Sequence, residues 1–140
     1  METKYSLLLV DDETAILETY SAFFSKRGFD VYTAQNGLKA LELLQNNDID
    51  VAIVDLRMPQ LSGLEMIEKA SELHIDTSFI VLTGHGDKDD AVKGINIGID
   101  GWFEKSSIRM EELHAKVVEL AKGISLDEVR EILSSIPEDD

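Results

Sequence analysis

The tightest constraint on this chain is an alternation that runs through most of its length. Five short apolar runs, YSLLLV (5–10), FDVYTA (29–34), VAIV (51–54), SFIVLT (78–83) and GWFE (101–104), are each followed by a stretch of helical periodicity. Runs this short and bounded by polar turns read as strands, and apolar residues three and four apart read as one face of a helix. Five such βα units predict a parallel sheet with helices on both faces, joined by right-handed crossovers. The 140 residues are most simply one domain with a proper core.

The helix ends are also written in the sequence. From Glu13 to Arg27 the apolar positions are Ile16, Leu17, Tyr20, Phe23 and Phe24, with Gly28 as a stop. Asn36 is placed to cap a helix carrying Ala40, Leu41 and Leu44. Ser62 stands three residues before Glu65, a capping-box spacing, ahead of Leu64, Ile67, Ala70 and Leu73. Asp87 is a candidate cap for a shorter helix around Ala91, Val92 and Ile95. Met110, Leu113, Val117 and Leu120 mark the last strongly periodic helix. His74 and His114 both fall in helical stretches and are expected at the surface. We take residues 1–122 as the domain and 123–140 as a C-terminal tail. There Leu126, Val129, Leu133 and Ile136 fit a short extra helix or the start of a linker.

In an open parallel sheet all strands end at one edge, and ligands bind there near the switch in strand order. Strand one ends in Asp11 and Asp12, strand three in Asp55, strand four in Thr83 and strand five in Lys105. Strand two ends in Ala34 and Gln35, which offer little chemistry, and in the order 2-1-3-4-5 it lies away from the centre. VAIV therefore runs straight into a carboxylate, which is costly to desolvate. The expectation is that Asp55 sits at the open edge, short of true burial, met by a cation.

Three converging carboxylates raise one another's pKa unless a counterion relieves them. Oxygen ligands of this kind suit Mg²⁺, which keeps water positions that phosphoryl oxygens can take. An aspartate can attack phosphorus to give an aspartyl phosphate. Mg²⁺ and a lysine ammonium would then neutralise charge on the transferring group, and the Thr83 hydroxyl could bond a phosphoryl oxygen. The plainer readings are that Asp11 and Asp12 cap the first helix, that Thr83 is an ordinary strand-end residue and that Trp102 is core.

Other classes are disfavoured. A formal charge of -15 argues against direct nucleic-acid binding by this segment and against an anionic membrane surface. There is no cysteine, which removes disulfides, thiolate catalysis and cysteine-based zinc sites. The start, METKYSLLLVDDE, does not read as a signal peptide, and no run approaches the roughly 18–20 residues of a membrane helix. No serine lies in a G-x-S-x-G elbow. A cytoplasmic setting is expected.

With LLLVDDE (7–13), VDLRMPQLSG (54–63), VLTGHGD (81–87) and GWFEKS (101–106) in order at the strand ends, the chain resembles a response-regulator receiver domain of two-component signalling, over roughly residues 4–122. The resemblance implies a flavodoxin-like (βα)5 doubly wound fold, with a five-stranded parallel sheet in the order 2-1-3-4-5. It implies that Asp55 is the phospho-acceptor, that Asp11 and Asp12 hold Mg²⁺ together with Asp55 and the backbone carbonyl of Arg57, and that Lys105 binds phosphate. Thr83 and Trp102 occupy the switch positions. The side chains of Arg57 and His85 stand where the family tunes the lifetime of the phosphoryl group. The implied partner is a sensor histidine kinase or phosphotransfer protein. The switching face, also a candidate homodimer surface, is made by the fourth helix, fifth strand and fifth helix.

Two positions depart from the family. Ser106 stands where proline usually follows the lysine, often across a cis bond. A non-prolyl cis bond costs about 3–4 kcal/mol, so a trans bond with a rearranged loop is the alternative. Trp102 stands where tyrosine or phenylalanine is commoner, and Gly84 is placed to give it room. One rival is an aspartate-based phosphatase of the haloacid dehalogenase type, which needs a second aspartate where this chain has Arg57. The other is a degenerate receiver that binds partners without phosphorylation.

Overall fold

The structure, a computed structural model, describes residues 4–84, 97–123, 130, 131 and 133–136. Five parallel strands, β1 (Ser6–Val10), β2 (Asp30–Ala34), β3 (Val51–Asp55), β4 (Ser78–Thr83) and β5 (Gly101–Glu104), form one sheet in the order β2-β1-β3-β4-β5. This is the doubly wound, flavodoxin-like order expected from the sequence. β1, β3 and β4 are the inner strands, with β3 at the centre and Leu7 of β1 opposite Val51 and Val10 opposite Val54. Every residue of β3 is buried, as expected for a strand with neighbours on both edges and helices on both faces.

Side chains alternate between the two faces and build two cores. On one face Leu8, Val10, Ala52, Val54, Phe79 and Val81 meet α2 (Gly37–Asn46) and α3 (Gly63–Glu72). On the other, Leu7, Leu9, Val51, Ile53, Ile80 and Leu82 meet α1 (Thr14–Lys26) and the helix Met110–Lys122, here α4. Leu17, Tyr20 and Phe24 supply the buried stripe of α1, and Leu113, Ala115, Val117 and Val118 that of α4.

The anticipated caps are present. Asn36 Oδ1 accepts from the Lys39 amide at 2.8 Å. Ser62 and Glu65 form a reciprocal capping box, which leaves fewer unpaired donors at the start of α3. Gly28, at φ 90, follows the end of α1.

Three expectations need correction. Leu73 closes α3 instead of joining its buried face, and is 50% exposed. His74 lies past the helix end at φ 58, in a left-handed turn. His114 is in α4 but partly buried, its ring edge-on to Phe23, Phe24 and Phe29 at centroid distances of about 6 Å. The α1–β2 junction presents three phenylalanines to α4, and the imidazole fills the space between them. Burial, with the nearby Arg27 charge, pushes the His114 pKa below its ordinary value.

The predicted helix around Ala91, with Asp87 and His85, lies outside the described residues, as do Leu126 and Val129 of the tail. Leu133 packs against the α1–α4 core, while Ile136 is 56% exposed. Among the described residues no helix is long and apolar enough to cross a membrane.

Candidate functional site

The carboxyl ends of β1, β3, β4 and β5 meet at one edge of the sheet, and the residues singled out by sequence meet with them. Asp11, Asp12 and Asp55 each turn a carboxylate oxygen into a cluster in which those atoms all lie within 4.8 Å of one another. Lys105 Nζ enters the cluster from β5, 2.7 Å from Asp11 Oδ2 and 3.5 Å from Asp55 Oδ2. Asp11 is buried and Asp12 is exposed, so the pair spans the depth of the pocket from floor to rim.

Local backbone bonds set each group. Asp11 hangs from two of them: its amide donates to Ala34 O at 3.1 Å, and its Oδ1 accepts from the Glu13 amide at 2.9 Å. The second bond tightens the turn into α1, but Glu13 is the N-cap of that helix and no side-chain cap bond is made there, so the capping role weighed for the acid pair is not what holds Asp11. Asp55 Oδ1 accepts a long bond from the Arg57 amide at 3.4 Å. Lys105 is set by its own amide, which donates to Thr83 O at 2.8 Å.

Asp55 is more deeply placed than the sequence suggests, at 6% exposure. The reason is the close fold-back of the β3–α3 loop. Gly63 donates its amide to Leu56 O at 2.9 Å, and a Cβ on Gly63 would stand 2.4 Å from the Asp55 carbonyl oxygen. Only glycine lets the start of α3 approach the strand end this closely. The electrostatic result is a carboxyl pushed up to about 6, chiefly by desolvation and then by the Asp11 charge, with Lys105 opposing. Burial works against the Lys105 ammonium too. The carboxylates of Asp11, Asp55 and Glu13 outweigh it and hold its pKa above the ordinary value.

The Lys105–Ser106 peptide bond is trans. The chain turns there without proline because the Ser107 amide closes back on Glu104 O at 3.3 Å. Lys105 still reaches both acids, so the missing proline does not displace it from the pocket.

Thr83 is fully buried at the end of β4. Trp102 pairs with Val81 on the neighbouring strand and packs, partly buried, on the α2–α3 core. Strand alternation puts Thr83 on that same face, one diagonal step from Trp102. A side chain at Gly84 would meet nothing within 4 Å, so there is open space beside Thr83. The Arg57 side chain is exposed at the rim. His85 lies outside the described residues.

The second strand was expected to offer little, and here the reading from sequence fell short. Its terminal carbonyl holds Asp11, and Gln35 Nε2 donates to Thr14 Oγ1 at 3.3 Å across the mouth of the first loop. Backbone contributions of this kind leave no mark on residue type, so no motif could have announced them.

The donor set fits a hard divalent cation. Its side-chain ligands are all oxygens, and Asp11 Oδ2 is a buried acceptor that no directed hydrogen bond satisfies, although the Lys105 charge lies beside it. Two neighbouring carboxylates with one ammonium leave net negative charge at the pocket floor, and the exposed Asp12 adds to it at the rim.

Comparison with known proteins gives one consistent family. The sequence model described as "Response regulator receiver domain" matches residues 7–118. The response regulator MprA of a Mycobacterium species is 34% identical over 122 residues, which cover 87% of this chain and 53% of that protein. The response regulator SaeR of Staphylococcus epidermidis is 35% identical over 99 residues, covering 71% and 43%. The chain thus matches about half the length of these curated relatives. Among solved structures, a CheY-like response regulator receiver domain protein from Methanospirillum hungatei superposes with a TM-score of 0.80 at 29% identity, covering 92% of this chain and 98% of that one. The signal receiver domain of an HD domain-containing protein from Pseudomonas fluorescens superposes with a TM-score of 0.81 at 25% identity, covering 86% and 97%.

Proposed function

Because the chain belongs to the response regulator receiver domain family of two-component systems, we propose that Asp55 is its phospho-acceptor and that the pocket around it performs the transfer. One observation carries this reading: the carboxylate oxygens of Asp11, Asp12 and Asp55 share a space of less than 5 Å with the Lys105 ammonium bridging two of them.

Asp11, Asp12 and Asp55, with the Arg57 carbonyl, would hold Mg²⁺. When bound, the ion supplies positive charge for the phosphoryl oxygens and lowers the repulsion among the acids. An Asp55 carboxylate oxygen bonds to phosphorus as the donor's P–N bond breaks, and the departing imidazole takes a proton from solvent. Lys105 balances charge on the transferred oxygens. Hydrolysis reverses the state: water bonds to phosphorus, the P–O bond to Asp55 breaks, and phosphate leaves. Arg57 and His85 would be the side chains that tune that step. The domain is in this sense a self-catalysed signalling switch, and its phosphoryl source is a sensor histidine kinase or phosphotransfer protein.

Thr83 is the hydroxyl that follows the phosphoryl group, and Trp102, on the same face, follows Thr83. The switched surface is the one formed by the segment around Ala91, β5 and α4, which also serves as a homodimer face. Such switching is a population shift, driven by tighter binding of the phosphoryl group to one of two states. Residues 1–122 act as the receiver unit in the cytoplasm, with 123–140 as its tail.

Incubation with Mg²⁺ and acetyl phosphate, followed by intact mass, tests the proposal. A single labile phosphoryl adduct, absent in Asp55→Asn, is expected. No adduct would make this a degenerate receiver, and turnover of phosphate esters would make it a phosphatase. Trp102 fluorescence should change on phosphorylation; a constant signal would remove Trp102 from the switch.

A further inference from the structure

The turn after β2 carries no ionisable residue between Ala34 and Gly37, yet it touches the acid pocket from two sides. Ala34 O holds the backbone of Asp11 at 3.1 Å. Gly37 opens α2, and a Cβ there would stand 2.9 Å from Leu61 Cδ2 and 3.2 Å from Leu61 Cβ and Cγ. Carbons do not approach so closely without something shifting. The absent side chain of Gly37 is therefore the seat of Leu61, which is 8% exposed.

Leu61 belongs to the loop between β3 and α3, the loop that carries Arg57. Just before Leu61, Gln60 is held at φ 72. A non-glycine residue keeps that left-handed conformation only where its surroundings over-determine it. Leu61 N–H bonds to Pro59 O at 2.8 Å, and Gly63 is pressed against Asp55 at the far end of the loop. The seat is itself firm, since α2 is capped by Asn36 and buries Ala40, Leu41 and Leu44.

We propose that Gly37 is a positioning residue for the acid pocket: by seating Leu61 against the first turn of α2, it holds the loop carrying Arg57 in register with Asp55 and with the Asp11 turn. The β2–α2 turn is then a bracket that locates both sides of the pocket, one through a carbonyl and the other through a missing Cβ. The consequence for cation binding rests on reading the pocket as a Mg²⁺ site; the restraint on the loop does not.

The test uses the wild type, Gly37→Ala, Leu61→Ala and the double variant. Mg²⁺ affinity is read by calorimetry, and amide hydrogen exchange over residues 56–63 is read without metal. Gly37→Ala is expected to weaken Mg²⁺ binding about 10-fold, as loss of a supporting contact does, and to speed exchange over 56–63 while β1 and β4 stay protected. In the Leu61→Ala background the same substitution is expected to have a much smaller effect on both, because Cδ2, the nearest clashing atom, and Cγ are gone and only the 3.2 Å approach to Cβ remains. Helix propensity alone predicts the opposite for Gly37→Ala, a firmer α2. Unchanged exchange in Gly37→Ala, or an equal effect in both backgrounds, overturns the proposal. A wild-type chain that binds no Mg²⁺ overturns the cation reading, and exchange over 56–63 then decides the seat. If Gly37→Ala does not fold, Leu61→Ala, which empties the seat without a clash, must itself speed exchange over 56–63; normal exchange there overturns the proposal.

Discussion

Lys105 stands closer to Asp11 than to Asp55, with its ammonium 2.7 Å from Asp11 Oδ2 and 3.5 Å from Asp55 Oδ2. The lysine is anchored on Asp11, just past the first strand, and leans toward the proposed acceptor.

Removing that ammonium leaves two buried carboxylates unbalanced. Lys105→Ala is expected to cost about 2–3 kcal/mol at pH 7.5 without metal, since an uncompensated buried charge is expensive. Part of that loss should return on adding Mg²⁺. Denaturant unfolding with and without the ion measures both, and an unchanged stability would mean that the pocket is wetter than its burial implies.

Asp55 gives a pH dependence of definite sign. Its folded pKa, about 6, is raised above the ordinary carboxylate value. Its contribution to stability is therefore complete below about pH 4 and is lost as pH rises through about 6. Asp55→Asn removes that loss. In metal-free buffer at pH 7.5 the variant should be more stable than wild type by about 1–2 kcal/mol, with the gap closing as pH falls through 6. Thermal unfolding across pH 4–8 checks it, and a gap that does not vary with pH would contradict it.

Gly63→Ala drives a methyl into the Asp55 carbonyl, 2.4 Å from where Cβ must sit. A backbone oxygen in a central strand has nowhere to go, and a cost of about 2–3 kcal/mol is expected. Chemical denaturation reads the loss, and Mg²⁺ titration should show weaker binding.

His114 carries the opposite pH sign. Burial among Phe23, Phe24 and Phe29, with Arg27 nearby, lowers its folded pKa. Its contribution is complete above about pH 6.5 and is lost as pH falls below that value. His114→Phe should therefore flatten the acid side of the stability profile. Because Asp55 moves the other way in the same range, the comparison is made as variant minus wild type, and parallel profiles would refute it.

The fold was legible because parallel topology leaves a strong signature. Runs such as VAIV and SFIVLT, short and bounded by turn residues, read as strands buried on both faces, and their polar successors mark the edge where the acids and the lysine meet. The side chains Asp11, Asp12, Asp55 and Lys105 were legible for the same reason. What escaped was carried by backbone and by absence. The Ala34 carbonyl, the trans turn closed by Ser107 on Glu104, and the space over Gly37 depend on where chains pass, which residue type does not record. His114 escaped because its partners Phe23, Phe24 and Phe29 come from another helix and the turn after it. Helical periodicity cannot see across that gap.

The strand order has a consequence for synthesis. β1 leaves the ribosome first, yet it lies between β2 and β3, and Lys105 is fixed only when its amide reaches Thr83 beside β5. A nascent chain can pair β1 with β2 early and still present Asp11 and Asp12 without their counter-charge. Among the described residues the lysine that meets these acids, Lys105, follows directly after the last strand of the sheet, so their counter-charge arrives only when nearly the whole sheet has been made.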